Sequence, residues 1–429
     1  MYVTYYLANN NTVDIYLLNI EKAGDFMNVQ YVKGDCIFTR TNKLTKQYPY
    51  LTQNISTDVI IVGGGITGAI LGYYFSKNNI DTVILEKSRI GHGSTSITTS
   101  LLQYELDGNC IDLKSYTTPD NIIKSYELGI KAIDEIQKFI DKYGNNCDYK
   151  VVDSFLYTDK DKEKTEIIEE YKFRKEAGLN VELIDKSNNP FKFDIAAGLL
   201  SKGAGAQFDP YRFTQDLLNV GCDYGLRVYE NTEAIDIKYE YNSVTIESIY
   251  GHKVRGKIVI VASGYNTELF TKRSFGTKTT TFNVATKPIN NLEDIYKNVI
   301  IRDNEDPYNY LRTTSDNRII IGGKDVTFSP HKFNKNLYTK NYNKLTKHLI
   351  KLFPNLNIDI EYKYCGAFAS TKDNLGFIGK DPDNSKLWYC LGYGANGILF
   401  ALLGGMMLSE LYLGKTNIYM SLFKIDRFD

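Results

Sequence analysis

The chain has 429 residues, 43% hydrophobic and 24% charged, and its 51 basic side chains balance 51 acidic ones. At about 100–200 residues per domain that predicts several domains, and the 13% aromatic content supplies enough apolar surface to exclude a disordered chain. A formal net charge of zero offers no basic excess for a phosphate backbone, so nucleic acid is excluded as a partner.

Residues 1–55 carry little pattern and read as an N-terminal extension. The start lacks a basic n-region and a sustained apolar h-region, so no signal peptide is expected. Met27 offers an internal initiation point; residues 1–26 read as an upstream mistranslation or disordered leader, or else as an ordinary element packed on the body. Asp58–Val62 is a continuous apolar run, as expected of a strand buried on both faces. Gly63-Gly-Gly-Ile66-Thr67-Gly68 follows and opens an apolar helix, Ala69–Ser76, and a second strand ends in Glu86-Lys87. In this context Gly63 permits a tight turn, Gly65 lets a pyrophosphate approach the backbone, and Gly68 lets the helix pack close to the strand. The helix N-terminus offers N–H groups to phosphates, and Glu86 stands where an acid accepts ribose hydroxyls.

The loop Gly91-His-Gly93-Ser94-Thr95-Ser96 is small and polar, suited to a longer cofactor than NAD. Helices are expected at Asn121–Tyr143, at Lys160–Glu176 as a solvated, highly charged element, and at Tyr211–Tyr224. Strands follow at Glu233–Ile237, Val244–Ser248 and Lys257–Ala262, the last entering the small-residue turn Ser263-Gly264. Tyr308–Thr313 and Arg318–Gly322 alternate in strand fashion, and Asn336–Phe353 is helical up to Pro354. Strands near Tyr362–Ala369 and Leu387–Cys390 precede Gly394-Ala-Asn396-Gly397, which opens a last helix ending near Leu413 and would aim N–H groups at an anionic ring edge. The segment Leu391–Leu413 contains Asn396, Glu410 and five glycines, so it reads as a buried loop and helix and not as a membrane span. Six scattered cysteines form no CxxC pair and no zinc-spaced set, which predicts free thiols in a reducing cytoplasm and no metal site.

Together Asp58–Gly68 with Glu86, Gly91–Ser96, Gln207–Arg212, Val259–Gly264, Tyr310–Thr314 with Arg318–Gly323, and Gly366–Gly397 resemble the FAD-dependent oxidoreductase family of D-amino-acid oxidase, glycine oxidase and sarcosine oxidase. The resemblance implies an α/β fold: a Rossmann-like FAD-binding domain with a parallel central sheet, plus an α+β substrate domain with a mostly antiparallel sheet. The first would use residues 56–115, 190–272 and 363–429, and the second 116–189 and 273–362. It implies FAD as cofactor, held by Gly63, Gly65, Ile66, Thr67, Gly68, Glu86, Lys87, Gly93, Ser94, Thr95, Ser96, Ser263, Gly264, Gly394, Asn396 and Gly397. It also implies oxidation of the C–N bond of a small-molecule amine by hydride transfer to flavin N5, giving an imine, with reoxidation by oxygen or another acceptor.

Tyr310, Arg312, Phe368 and Tyr393 are the substrate-cavity candidates, and no catalytic residue is assigned among them. Three positions at which relatives carry a cation for a substrate carboxylate hold Phe368, Leu399 and Thr99, so an amine without an adjacent carboxylate is expected, with Arg312 the one compensating candidate. Cys365 falls one position from the flavin-attachment site of sarcosine oxidases and reads as a buried thiol. His92 is either a flavin contact or a solvated loop residue, whereas His252, His331 and His348 read as surface residues. Lys287-Pro288 and Lys324-Asp325 follow strands, with surface roles at least as expected as site roles. The alternatives are a flavin-dependent hydroxy-acid or glycerol-phosphate-type dehydrogenase, which needs cations for its anion, and a dinucleotide-binding protein without catalysis.

Overall fold

Val59–Val62 and Thr82–Leu85 are short strands buried at every position, which fits strands covered on both faces. In the computed structural model, which describes residues 31–43, 46–329 and 335–429 and the backbone of 4–9 and 12–17, they lie side by side and parallel. Met27 and His331 lie outside the described residues. The six-stranded sheet runs Arg227–Tyr229, Thr82–Leu85, Val59–Val62, Ile258–Val261, Leu387–Leu391 and Phe377–Lys380. Only its Phe377–Lys380 edge is antiparallel. Helix Ile66–Lys77 packs between helices Pro210–Asp223 and Gly397–Tyr412, and both glycine-opened helices are apolar nearly all round because they are buried nearly all round.

The second sheet has ten strands and is antiparallel except where Val299–Asp303 pairs with Lys150–Thr158. Its order runs from the edge strand Val32–Gly34 through Ile360–Ser370, Thr277–Thr286, Ile319–Thr327, Tyr310–Thr313 and Val299–Asp303 to Lys150–Thr158, Ala197–Gln207 and Leu101–Gln103, and the tenth strand, Val181–Ile184, pairs with Ala197–Gln207 off this path. Helix Lys335–Leu352 covers it with Asn341, Leu345, Leu349 and Leu352, one helical face by spacing. A four-stranded sheet (Ala234–Tyr239, Val244–Ser248, Lys253–Gly256 and Ile55–Ser56) flanks the parallel one, and a hairpin, Thr4–Asn9 with Thr12–Leu17, completes the mixed α/β fold.

Two expectations change. Helix Lys164–Glu176 is not simply a solvated element: Glu170 and Arg174 are buried, at 0% and 1% exposure. Arg174 Nε donates to Glu170 at 2.7 Å and Nη1 to Glu105 at 2.9 Å, with the guanidinium over the Tyr104 and Tyr126 rings. His348 is not a surface residue either; it is largely buried, with Nε2 3.5 Å from Asp303 Oδ2.

Candidate functional site

The glycine turn is dictated by main-chain geometry. Gly63 has φ +116, and a Cβ there would lie 2.4 Å from the Ala262 carbonyl oxygen. A Cβ on Gly68 would lie 1.8 Å from the Gly63 carbonyl oxygen, so the helix can approach the strand only at glycine. Gly65 differs: the one atom near its Cβ position is Thr95 Oγ1, at 3.2 Å. Thr95 Oγ1 also accepts from Ile66 N at 2.9 Å, tying the second loop to the first turn of the helix. Gly65 itself is the N-cap and contributes no side chain, which leaves a helix N-terminus suited to an anion.

Glu86 Oε2 accepts from Gly64 N at 2.7 Å and Oε1 from Ser88 N at 2.9 Å, so each oxygen keeps one lone pair for a further donor. Burial pushes the Glu86 carboxyl upward, and the Gly64 and Ser88 N–H groups only partly oppose it.

A cavity of about 480 Å³ opens from this turn. Gly63, Gly65, Ile66, Thr67, Glu86 and Lys87 line it on one side, joined by Gly93, Ser94 and Thr95 of the polar loop. Ser263, Gly264, Gly394 and Gly397 line it from the ends of two further strands. The substrate candidates Tyr310, Phe368 and Tyr393 reach it too, and so does His92, whose Nδ1 lies 2.9 Å from the Ile90 carbonyl oxygen.

Four expected site residues do not line the cavity. Gly68 serves helix packing, as above. Ser96 is buried and donates to the Gly93 carbonyl at 2.8 Å, closing its own loop. Asn396 Nδ2 donates to the Glu105 carbonyl at 2.8 Å, fastening the start of the last helix. Arg312 is 3% exposed, and its donors meet the carbonyls of Thr99, Thr313 and Phe208 at 2.5, 3.1 and 2.9 Å. Burial lowers its guanidinium to about 10. Arg312 therefore holds the core together and is not a spare cation at the cavity. Of the three uncharged positions, Phe368 and Thr99 line the cavity and Leu399 belongs to the core. Cys365 is buried away from the cavity, and Lys287 is exposed beside Asp359.

Sequence reasoning missed the rest of the wall. Tyr31 precedes the edge strand and stacks on Phe328, and Tyr265 packs on Tyr393 with ring centroids 5.3 Å apart. Tyr308 donates to Asp107, whose second oxygen accepts from Ala395 N at 2.9 Å. Arg302 lies over the Tyr308 ring and donates to the Leu106 and Asp107 carbonyls and to Asn109 Oδ1, at 3.3, 2.8 and 3.3 Å. Thr281 Oγ1 and Tyr310 OH are 3.1 Å apart. Asp325 lines the same wall, and burial raises its carboxyl to about 6. Among 34 tyrosines no spacing singled out Tyr31, Tyr265 or Tyr308. Lys324-Asp325, expected to follow a strand, was the one legible signal, although both lie within strand Ile319–Thr327. Among the described residues no His, Cys, Asp and Glu group could hold a metal, and no helix is long and apolar enough to cross a membrane.

Comparison with known proteins gives the same picture of the fold. The chain is 26% identical over 382 residues to gamma-glutamylputrescine oxidoreductase of Escherichia coli (strain K12), covering 85% of each chain. Glycine oxidase from Geobacillus kaustophilus superposes with a TM-score of 0.74 at 19% identity, covering 86% of this chain and 98% of that one. L-proline dehydrogenase from P. horikoshii superposes at 0.73 with 18% identity, covering 88% and 98%. The model of the FAD dependent oxidoreductase family, DAO, matches residues 58–411, so the strand–glycine turn–helix and the cavity that opens from it belong to a chain that is a member of that family.

Proposed function

We propose that this FAD-dependent oxidoreductase oxidises a C–N bond of a small amine that carries no adjacent carboxylate. The observation that carries the reading is the continuity of the cavity, from the glycine turn to an aromatic wall of Tyr31, Tyr265, Tyr310, Phe368 and Tyr393. Bound FAD would supply a two-electron acceptor at flavin N5, taking hydride from the carbon next to nitrogen so that the amine, less one proton, would leave as an imine for hydrolysis, with oxygen or another acceptor restoring the oxidised flavin.

The chain's own residues bind and orient. Gly63 and Gly65 would let main chain approach the pyrophosphate, and the first turn of Ile66–Lys77 would offer it N–H groups. Glu86 would accept ribose hydroxyls on its remaining lone pairs, with Lys87 beside it. Gly93, Ser94 and Thr95, with Ser263 and Gly264, would hold the middle of the cofactor, and the Gly394–Gly397 turn would offer it the N-terminus of the last helix. In this reading residues 56–115, 190–272 and 363–429 hold FAD; of the two segments expected for a substrate domain, 116–189 and 273–362, the second brings Thr281, Tyr308, Tyr310 and Asp325 to the cavity, while Tyr31, Tyr265, Phe368 and Tyr393 come from outside both.

The names of the relatives support an amine, since gamma-glutamylputrescine and glycine are both amines. A hydroxy acid or glycerol phosphate needs a free cation, whereas Arg302 already serves two carbonyls and an amide. Anaerobic exposure of the yellow protein to panels of amines and of hydroxy acids tests the reading. Bleaching by amines is expected; bleaching by hydroxy acids or glycerol phosphate, and by no amine, overturns it.

A further inference from the structure

Strands Thr277–Thr286 and Ile319–Thr327 would ordinarily alternate their side chains in step. Their pairing breaks at one point: Thr280 stands opposite Val326, whereas Phe282 stands opposite Gly323. Thr281 therefore faces two residues, Lys324 and Asp325, which is a β-bulge. Lys324 adopts φ +58 and Gly323 φ +134. A lysine in the left-handed region is uncommon and persists where the surrounding structure enforces it. The bulge sends Lys324 to Glu305, at 3.3 Å, and Asp325 to the cavity wall.

Asp325 is a carboxylate of the cavity wall with one oxygen left unpaired. Glu86 holds two backbone N–H groups, and Asp107 holds the Tyr308 hydroxyl and Ala395 N. Asp325 Oδ1 is buried without a hydrogen-bond partner, an unfavourable arrangement until a donor arrives. The nearby cations are otherwise engaged: Arg302 serves carbonyls, Lys324 serves Glu305, and Lys278 donates to the Tyr265 carbonyl at 3.1 Å. Around Asp325 stand Thr281 and Tyr310, with Tyr31 and Tyr265 on the same cavity, and aromatic faces attract an ammonium.

We propose that Asp325, aimed by this bulge, receives an ammonium group of the substrate and so makes the site selective for alkylammonium compounds. The inference rests on the amine reading above and names the residue that enforces it. The carboxyl's elevation to about 6 comes chiefly from burial, opposed by Thr281 and increased by Asp107. A bound cation acts in the opposite sense and favours the carboxylate.

The ammonium is either the reacting nitrogen or a second one along the chain, and two probes separate these. Anaerobic flavin bleaching is followed with butylamine and with putrescine, the diamine of the same carbon chain, for the wild-type holoenzyme and for Asp325→Asn and Asp325→Glu. A charge-assisted hydrogen bond lost in Asp325→Asn raises the half-saturating amine concentration about tenfold or more. A rise for putrescine alone, with the limiting bleaching rate unchanged, assigns Asp325 to the second ammonium. A rise for both amines, with a displaced pH profile, assigns it to the reacting one. Either result supports the proposal, and partial recovery in Asp325→Glu strengthens it. A readout without turnover is melting of holoenzyme whose flavin has first been reduced with dithionite: amine should stabilise the wild-type protein and leave Asp325→Asn unmoved. Unchanged half-saturation for both amines in Asp325→Asn, or in Asp325→Ser should the first variant not fold, overturns the proposal while leaving amine oxidation standing. If no amine bleaches the wild-type protein, the amine reading falls and the anchor with it.

Discussion

Gly65→Val separates cofactor binding from folding. Gly65 has φ −77 and ψ −174, an extended conformation that valine adopts readily. Its Cβ would touch one atom, Thr95 Oγ1, at 3.2 Å. The worst structural consequence is a weakened Thr95–Ile66 hydrogen bond, about 1 kcal/mol, or a few degrees in melting temperature. The methyls stand at the mouth of the helix N-terminus, where the pyrophosphate belongs. Each charge-assisted hydrogen bond lost there is worth about 1.5–3 kcal/mol, so losing two weakens FAD binding by roughly a hundredfold to ten-thousandfold. The assay is flavin content per chain, followed by FAD titration of the deflavinated protein, with the melting temperature of that same deflavinated protein as control. A colourless variant whose apoprotein melts within a few degrees of wild-type apoprotein is expected. Full flavin content at wild-type affinity would refute the placement of the pyrophosphate.

Glu170→Ala leaves the Arg174 charge buried with only Glu105 facing it and should cost about 3–5 kcal/mol by chemical denaturation. Burial alone would raise the Glu170 carboxyl, but Arg174 and the Cys110 contacts bring it below its ordinary value. That contribution is complete above the unfolded carboxylate pKa of about 4.3 and disappears as pH falls through the lower folded value, so the wild-type advantage over Glu170→Ala should narrow in acid. Arg312→Ala strands the Thr99, Thr313 and Phe208 carbonyls and should lower the melting temperature markedly without improving or impairing discrimination among amines, as steady-state assays would reveal. Glycine, sarcosine and D-alanine should be poor substrates in the same assays; efficient turnover of any one, surviving Arg312→Ala, contradicts the absence of a carboxylate partner. A chain beginning at Met27 should stay yellow and melt close to the full chain, because among the described residues the Thr4–Asn9 and Thr12–Leu17 strands pair only with each other.

What was legible in the sequence was written in backbone chemistry. Only glycine fits at 63 and 68, and a carboxylate ending the second strand has few other uses, so Gly63, Gly68 and Glu86 announce their turn locally. The long strand Ala197–Gln207 escaped notice, since its alanines and glycines carry little strand propensity and it acquires its place from Lys150–Thr158 and Leu101–Gln103. The burial of Glu170 and Arg174 was hidden for the opposite reason: a charged helix looks solvated until a partner such as Glu105, distant in sequence, covers it. Asp325 depends on a register shift between two strands, and no local pattern encodes a register shift.

The order of the parallel sheet also constrains how the protein is made. Ile258–Val261 stands between Val59–Val62 and Leu387–Leu391, so Val59–Val62 gains its second neighbour only with Ile258–Val261, and that strand in turn lacks its own until the Leu387–Leu391 stretch has been synthesised. Gly394 and Gly397, at the cavity's far side, arrive later still. The Ile66–Lys77 helix, formed early, waits for the Gly397–Tyr412 helix to cover it. Contacts between segments so distant in sequence close late because their loop entropy must be met first. A nascent chain therefore carries its phosphate-binding turn on an exposed apolar layer for most of its synthesis, and cofactor capture becomes one of the final events of assembly.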